Sequence, residues 1–161
     1  MTIVDSSVLI HLLRIGKLSL LKDFFKTIKI TEQIHDEIKA GKHGASEFEE
    51  ACKHWILINK KNFNEAKEIS KLESIEEADA SIILLAKEQK EILLSNDYAL
   101  IKVARIKGVE CWWLTTFLLE CLKKKIMSKK ETKQTLLELI GSGMRLKNEV
   151  YAALLEQIES M

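Results

Sequence analysis

Four acidic residues stand in contexts that could build a single carboxylate pocket. They are Asp5 in Ile3-Val4-Asp5-Ser6-Ser7, Glu37 in Ile34-His35-Asp36-Glu37-Ile38, Asp79 in Glu77-Ala78-Asp79-Ala80, and Asp97 in Leu94-Ser95-Asn96-Asp97. Two carboxylates about 5 Å apart repel by roughly 3 kcal/mol at an effective dielectric near 20. Several such pairs raise pKa values or weaken a fold unless a cation offsets them. Oxygen-only ligation suits a hard divalent ion, Mg²⁺ or Mn²⁺. Zinc fits less well, because His and Cys do not cluster along the chain. The chemistry such a pocket supports is metal-assisted hydrolysis of a phosphodiester.

The elements that must position these acids alternate along the chain. Predicted strands are Thr2–Asp5, Thr27–Thr31, Trp55–Asn59, Glu91–Ser95 and Glu110–Leu114, with helical periodicity between them. This alternation implies α/β architecture: three layers around a central parallel sheet of about five strands, with right-handed crossovers. Ile92-Leu93-Leu94 is continuously apolar, as a strand buried on both faces should be. With the strand order 3-2-1-4-5, Asp5 and Asp97 follow neighbouring strands and flank the crevice beyond their carboxyl ends. Crossover helices run back antiparallel, so their N-termini share that edge. Glu37 falls in the second turn of one and Asp79 near the start of another. Asp79 also shares a helical stripe with Ile82, Ile83 and Ala86, where a charge is costly unless paired or bound to metal.

No further strand is expected after Leu114. Thr115–Lys125, Ser128–Ile140 and Leu146–Ser160 read as helices, with a stop at Gly141-Ser142-Gly143. The last helix aligns Leu146, Val150, Leu154 and Ile158, a stripe for packing on the domain or for a partner. The organisation is thus one unit over 1–125 and a helical extension over 126–161, packed on the same domain or on a partner.

Bulk properties narrow the classes. A chain of 161 residues, 47% hydrophobic and 30% charged, builds its core without staples. Net charge of +1 supplies no global field for nucleic acid, so binding would need a local patch. The three cysteines, Cys52, Cys111 and Cys121, lack paired spacing and read as free thiols in a reducing cytoplasm. Asp5 interrupts the opening apolar run, so no signal peptide is expected, and no apolar stretch suits a membrane span.

In order and spacing these segments resemble the PIN domain, a family of metal-dependent ribonucleases. Residues 3–10, Ile-Val-Asp-Ser-Ser-Val-Leu-Ile, are similar to its first motif. Gln33-Ile-His-Asp-Glu-Ile38 is similar to the second, Glu77-Ala-Asp-Ala-Ser-Ile-Ile-Leu-Leu-Ala86 to the third, and Leu93-Leu-Ser-Asn-Asp97 to the fourth, with Ser95 where Thr is usual. The tail from Gly143 resembles that of a prokaryotic branch. The resemblance implies that Asp5, Asp79 and Asp97 hold one or two ions that activate water for in-line attack. Glu37 would be a further ligand or orient the water. Ser6 and Ser95 would hydrogen-bond the carboxylates and hold them in place. The similarity extends to toxin-type PIN proteins, which would bring an antitoxin partner, and to homodimers. The alternative on the same fold is a catalytically inactive module that binds RNA or protein.

Plainer readings exist for each residue. Asp5 and Asp97 are suited to cap the helices that follow them. Ser74-Ile-Glu-Glu77 fits a capping box, so Glu77 divides between capping and supporting the site. Asp36 and Glu76 read as solvated neighbours. His11, His35, His43 and His54 lack ligand spacing, although His35 and His43 are near Glu37 in sequence. Of Trp112 and Trp113, at least one belongs to the core. Arg14, Lys39, Lys42, Lys102 and Arg105 are candidate contacts for an RNA backbone, ahead of Lys123-Lys124-Lys125, which completes a helix. Other α/β classes fail on specific residues. A phosphoaspartyl phosphatase wants Asp where Ser7 stands, and a receiver wants an acidic acceptor where Lys60-Lys61-Asn62 follows the third strand. A dinucleotide enzyme wants glycines where Ser6-Ser7-Val8 stand.

Overall fold

The computed structural model describes residues 2–41 and 44–161. Five strands form one parallel sheet: β1 (Thr2–Val4), β2 (Ile28–Thr31), β3 (Ile56–Asn59), β4 (Ile92–Leu94) and β5 (Cys111–Trp112), in the order β3-β2-β1-β4-β5. This is the predicted order. The register pairs Ile3 with Lys29 on one side and with Leu93 on the other. Ile3, Val4, Ile28, Ile30, Leu93 and Leu94 are fully buried, as strands covered on both faces must be.

Ten helices are found among the described residues: α1 (Ser6–Arg14), α2 (Ser19–Phe25), α3 (Glu32–Lys39), α4 (Ala45–His54), α5 (Ala66–Glu73), α6 (Glu77–Gln89), α7 (Tyr98–Ile106), α8 (Leu114–Lys123), α9 (Lys129–Gly141) and α10 (Asn148–Ser160). The chain steps from β1 to β2 to β3, then reverses across the sheet to β4 and β5. Right-handed crossovers therefore put α1–α4 on one face and α5–α7 on the other. α6 packs over β2 and β4 from its face, with Ile82, Ile83 and Ala86 buried. Lys29 in β2 reaches the Oε1 atoms of Gln89 at 2.6 Å and Glu91 at 2.9 Å, tying β2 to the entry of β4.

Several boundaries differ from the sequence expectation for local reasons. Trp55 closes α4 as its C-cap, so β3 starts at Ile56. β5 is reduced to Cys111 and Trp112, because Trp113 turns into the N-cap of α8. The capping box expected at Ser74 and Glu77 does not form. Ser74 closes α5 in the left-handed conformation (φ 55°), and Glu76 is the N-cap of α6. A capping box does form at Ser128, whose hydroxyl accepts from Glu131 N–H while the Glu131 carboxylate accepts from Ser128 N–H. Gly141 extends α9 by a residue, and the stop comes at Gly143 (φ +117°).

The last three helices share the main core: Leu136, Leu139, Met144, Leu154 and Ile158 are buried within it. α8 carries Phe117 into a cluster with Phe25 (centroids 5.7 Å apart, stacked) and Phe24 (5.5 Å, edge-on). Trp112 joins from β5 through an edge contact with Phe24. Of the predicted α10 stripe, Leu154 and Ile158 pack inward, whereas Val150 is 43% exposed. Cys52, Cys111 and Cys121 are free. Among the described residues no helix is long and apolar enough to cross a membrane.

Phe117 has no exposed surface and anchors the C-terminal helices to α2. Phe117→Ala is expected to lower stability by about 3–5 kcal/mol in urea denaturation. Leu137→Ala, at a half-exposed position of α9, should change it by no more than about 0.5 kcal/mol. Equal effects would contradict a core shared between the sheet and the tail.

Candidate functional site

The site begins with the pairing of β1 and β4. Asp5 N–H donates to the Leu94 carbonyl at 2.9 Å, extending the ladder one residue past β1. Ser95 N–H donates to the Trp112 carbonyl at 3.1 Å, extending the β4–β5 ladder likewise. Asp5 and Ser95 therefore leave the sheet side by side. The Asp5 carboxylate is buried, at 4% residue exposure. Its Oδ2 accepts two hydroxyl hydrogen bonds, from Ser7 Oγ at 2.7 Å and from Ser95 Oγ at 2.9 Å. The same hydroxyls act as acceptors: Ser7 Oγ from Asn96 N–H at 2.9 Å, and Ser95 Oγ from Asp97 N–H at 3.1 Å. Two serines thus bind one carboxylate to the loop that delivers the next.

Ser95 places its hydroxyl on Asp5. Ser6 does not: it contributes only its backbone N–H, and the hydroxyl on Asp5 comes from Ser7. Asp5 occupies the N-cap position of α1 without making the side-chain capping bond. Asp97 does cap: its Oδ1 accepts from Leu100 N–H at 3.2 Å. Its other oxygen is left for different work.

Asp79 completes the group. It is half-buried in the first turn of α6, above Ile82 and Ile83. Its carboxyl is pushed up to about 7, first by burial and then by the charges of Asp5, Asp97 and Glu76, against a hydrogen bond from the Glu76 backbone. Burial also raises Asp5, opposed by the Ser7 and Ser95 hydroxyls and by the Ser6 and Ser7 backbone. Asp5 and Asp97 thus both act on Asp79. Glu76, read from sequence as a solvated neighbour, belongs to the same field because it precedes Asp79 by one helical turn.

Glu37 is exposed on α3, between buried Ile34 and Ile38. Glu77 is exposed beside Glu76 at the start of α6. His35 faces Glu49 of α4, with Nε2 to Oε1 at 3.0 Å, and lies against the Phe48 ring. The expected basic contacts divide. Arg14 ends α1, at the opposite end of the helix from Asp5. Arg105 donates to the Cys111 carbonyl at 3.3 Å, where β5 enters the sheet rather than leaves it. Each occupies the last turn of a helix whose start lies at the acid edge. Lys39 also ends its helix, α3, and Lys102 lies midway along α7. Lys42 and His43 lie outside the described residues. In the lysine run, Lys123 pairs with Glu120 at 3.0 Å and Lys124 lies 4.0 Å over the Phe24 ring.

Among the described residues no three His, Cys, Asp or Glu side chains form a ready-made metal cage. The aspartates are close enough to perturb one another, yet not drawn in around one point. Carboxylate oxygens are the donors that Mg²⁺ and Mn²⁺ prefer, and Mg²⁺ keeps several waters and uses one or two carboxylates. The oxygen-only donors and the charge repulsion at Asp79 are what such an ion would relieve.

Folding raises Asp79, so the folded chain binds more protons than the unfolded one between about pH 4 and about 7. Stability of the metal-free protein should therefore fall as pH rises through that window. Asp79→Asn is expected to flatten the slope and to melt above the parent at pH 8 in chelator. Mg²⁺ or Mn²⁺ should raise the melting temperature of the parent and leave the variant nearly unchanged. A variant less stable than the parent at pH 8 would remove the case for crowded charge at Asp79.

The family comparison agrees with this fold. The model of the family DUF3368, described as a PIN domain, matches residues 1–160. No curated protein matches the chain. Among solved structures, a domain of a functionally unknown protein from Methanocaldococcus jannaschii DSM 2661 is similar at 24% identity and a TM-score of 0.46, over 70% of this chain and 89% of that one. With the family model spanning the sheet, the aspartates and the helical tail alike, the chain belongs to the PIN-domain family DUF3368.

Proposed function

We propose that the protein is a divalent-metal-dependent endoribonuclease that hydrolyses RNA phosphodiester bonds. The observation that carries this reading is that Asp79, raised first by burial, also lies in the field of Asp5 and Asp97. PIN domains are commonly nucleases, and the acids of all four family motifs are present in this chain.

In this reading Asp5, Asp79 and Asp97 hold Mg²⁺ or Mn²⁺, directly or through water. When bound, such an ion lowers the pKa of water and neutralises charge building on phosphate oxygens. Ser7 and Ser95 fix the orientation of Asp5, and Ser95 also fixes the start of α7, which carries Asp97. Glu37, from α3, would act from the rim by orienting water or completing a second ion site. The toxin half of a toxin–antitoxin pair is the biological role that fits, with an antitoxin and a second copy of this chain as protein partners.

Purified protein incubated with mixed-sequence single-stranded RNA should cut it with Mg²⁺ or Mn²⁺ and not in chelator. Asp5→Asn should reduce cutting to background. Cutting that persists in chelator, or in the variant, would overturn the reading. The hydroxyl geometry adds a finer expectation: Ser7→Ala should slow metal-dependent cutting about 10–100-fold, the usual cost of losing a group that orients a ligand. Ser6→Ala should leave it near the parent rate, and the reverse ranking would assign the clamp to the wrong serine.

A further inference from the structure

Beside the carboxylates lies a groove of about 740 Å³, walled by Asn96, Tyr98 and Trp113 on one side and by Met144, Arg145 and Lys147 on the other. Its place follows from the chain path. Asn96 lies between Ser95 and Asp97, and Tyr98 is the first residue of the helix that Asp97 caps. Trp113 follows β5, whose Trp112 carbonyl receives Ser95 N–H. The near wall is therefore continuous with the acid site. The far wall is the turn after α9, brought back across the sheet edge by Gly143 in its positive-φ conformation.

The lining has a specific chemical character. Tyr98 is 70% exposed, an unusual amount for an aromatic ring beside a site. Its ring stacks on that of Trp113 with centroids 6.5 Å apart and planes 26° from parallel. No carboxylate lines the groove, and among the described residues Arg145 and Lys147 make no ion pair. The Asn96 carboxamide makes no hydrogen bond among the described residues, while its backbone is fixed on Ser7. An aromatic face, two unpaired cations and a free amide are complementary to a base and a phosphate. An apolar partner helix would leave both cations facing it.

We propose that this groove binds an unpaired base of single-stranded RNA together with its adjoining phosphate. The base stacks on Tyr98 and Trp113, Arg145 and Lys147 hold the phosphate, and Asn96 is placed for a base edge. The residue bound here adjoins the phosphate presented to Asp5, Asp79 and Asp97, a relation that rests on the nuclease reading. The helical tail then supplies half of a substrate subsite, which accounts for Val150 remaining exposed on the groove wall instead of joining the core.

Binding can be read without cleavage. The full-length chain in chelator is titrated into a fluorescein-labelled, mixed-sequence single-stranded RNA of about a dozen nucleotides. Tyr98→Ala should weaken binding about tenfold, and Tyr98→Phe should restore it, since stacking needs the ring and not the hydroxyl. Arg145→Ala and Lys147→Ala should each weaken binding and flatten the dependence of log affinity on log salt by up to about 0.7. RNA should quench tryptophan emission in the parent and lose much of that effect in Trp113→Phe. Parent affinity in Tyr98→Ala, Arg145→Ala and Lys147→Ala would overturn the proposal, as would no binding by the parent. Variants that change the sedimentation coefficient but not RNA affinity would make the groove a contact between copies and overturn it too. The two readings fail separately. Groove-dependent binding without metal-dependent cutting sinks the nuclease, and cutting with an unchanged KM in Tyr98→Ala sinks the groove.

Discussion

Everything at the site depends on one buried carboxylate. Asp5 leaves the sheet where β1 lies against β4, and its Oδ2 is held by hydroxyls from both segments, Ser7 and Ser95. An ionised acid taken out of water is costly unless hydrogen bonds replace the lost solvent. Here burial wins, raising Asp5 despite the serines, so the hydroxyls moderate the cost without removing it. Because Ser7 and Ser95 also accept from Asn96 N–H and Asp97 N–H, the same two hydroxyls fix the start of α7. The second acid is therefore positioned by the groups that hold the first.

That arrangement puts the charge requirements of the site in opposition to the stability of the fold. α6 presents Asp79 on the stripe that buries Ile82 and Ile83, facing Asp5 and Asp97. A purely structural helix would place an apolar or neutral residue there, and the raised Asp79 carboxyl is the measure of the conflict. Local violations of this kind concentrate where a ligand is expected to resolve them. Glu76 adds to the field from the N-cap, where an acid also suits the positive end of the helix.

The C-terminal helices connect this edge to the rest of the molecule. Phe117 packs on the α2 phenylalanines, stacked on Phe25 and edge-on to Phe24, and Leu139, Met144 and Ile158 join the main core. Lys17 bonds Thr135 Oγ1 at 2.7 Å and Glu138 at 3.1 Å, fixing α9 beside the end of α1. The turn after α9 is thereby held opposite Tyr98 and Trp113. A segment that looks like an appendage in sequence lines the groove next to the aspartates.

The sequence by itself determined the architecture. Alternating apolar runs and helical stripes carry their own period, and crossover handedness leaves few ways to arrange five parallel strands. The order β3-β2-β1-β4-β5 follows from those local facts. Tertiary structure alone decided what depends on side-chain direction and on neighbours distant in sequence. It chose Ser7 over Ser6 for the Asp5 clamp, and it used Ser74 to end α5 where a capping box was expected. It left Glu37 exposed on α3 and carried Arg14 and Arg105 to the far ends of their helices. It split two adjacent tryptophans between the core and the groove, because successive residues at a strand end point to different surroundings. Periodicity records which face is apolar; which group meets a carboxylate is set only when segments ninety residues apart are packed within hydrogen-bonding distance.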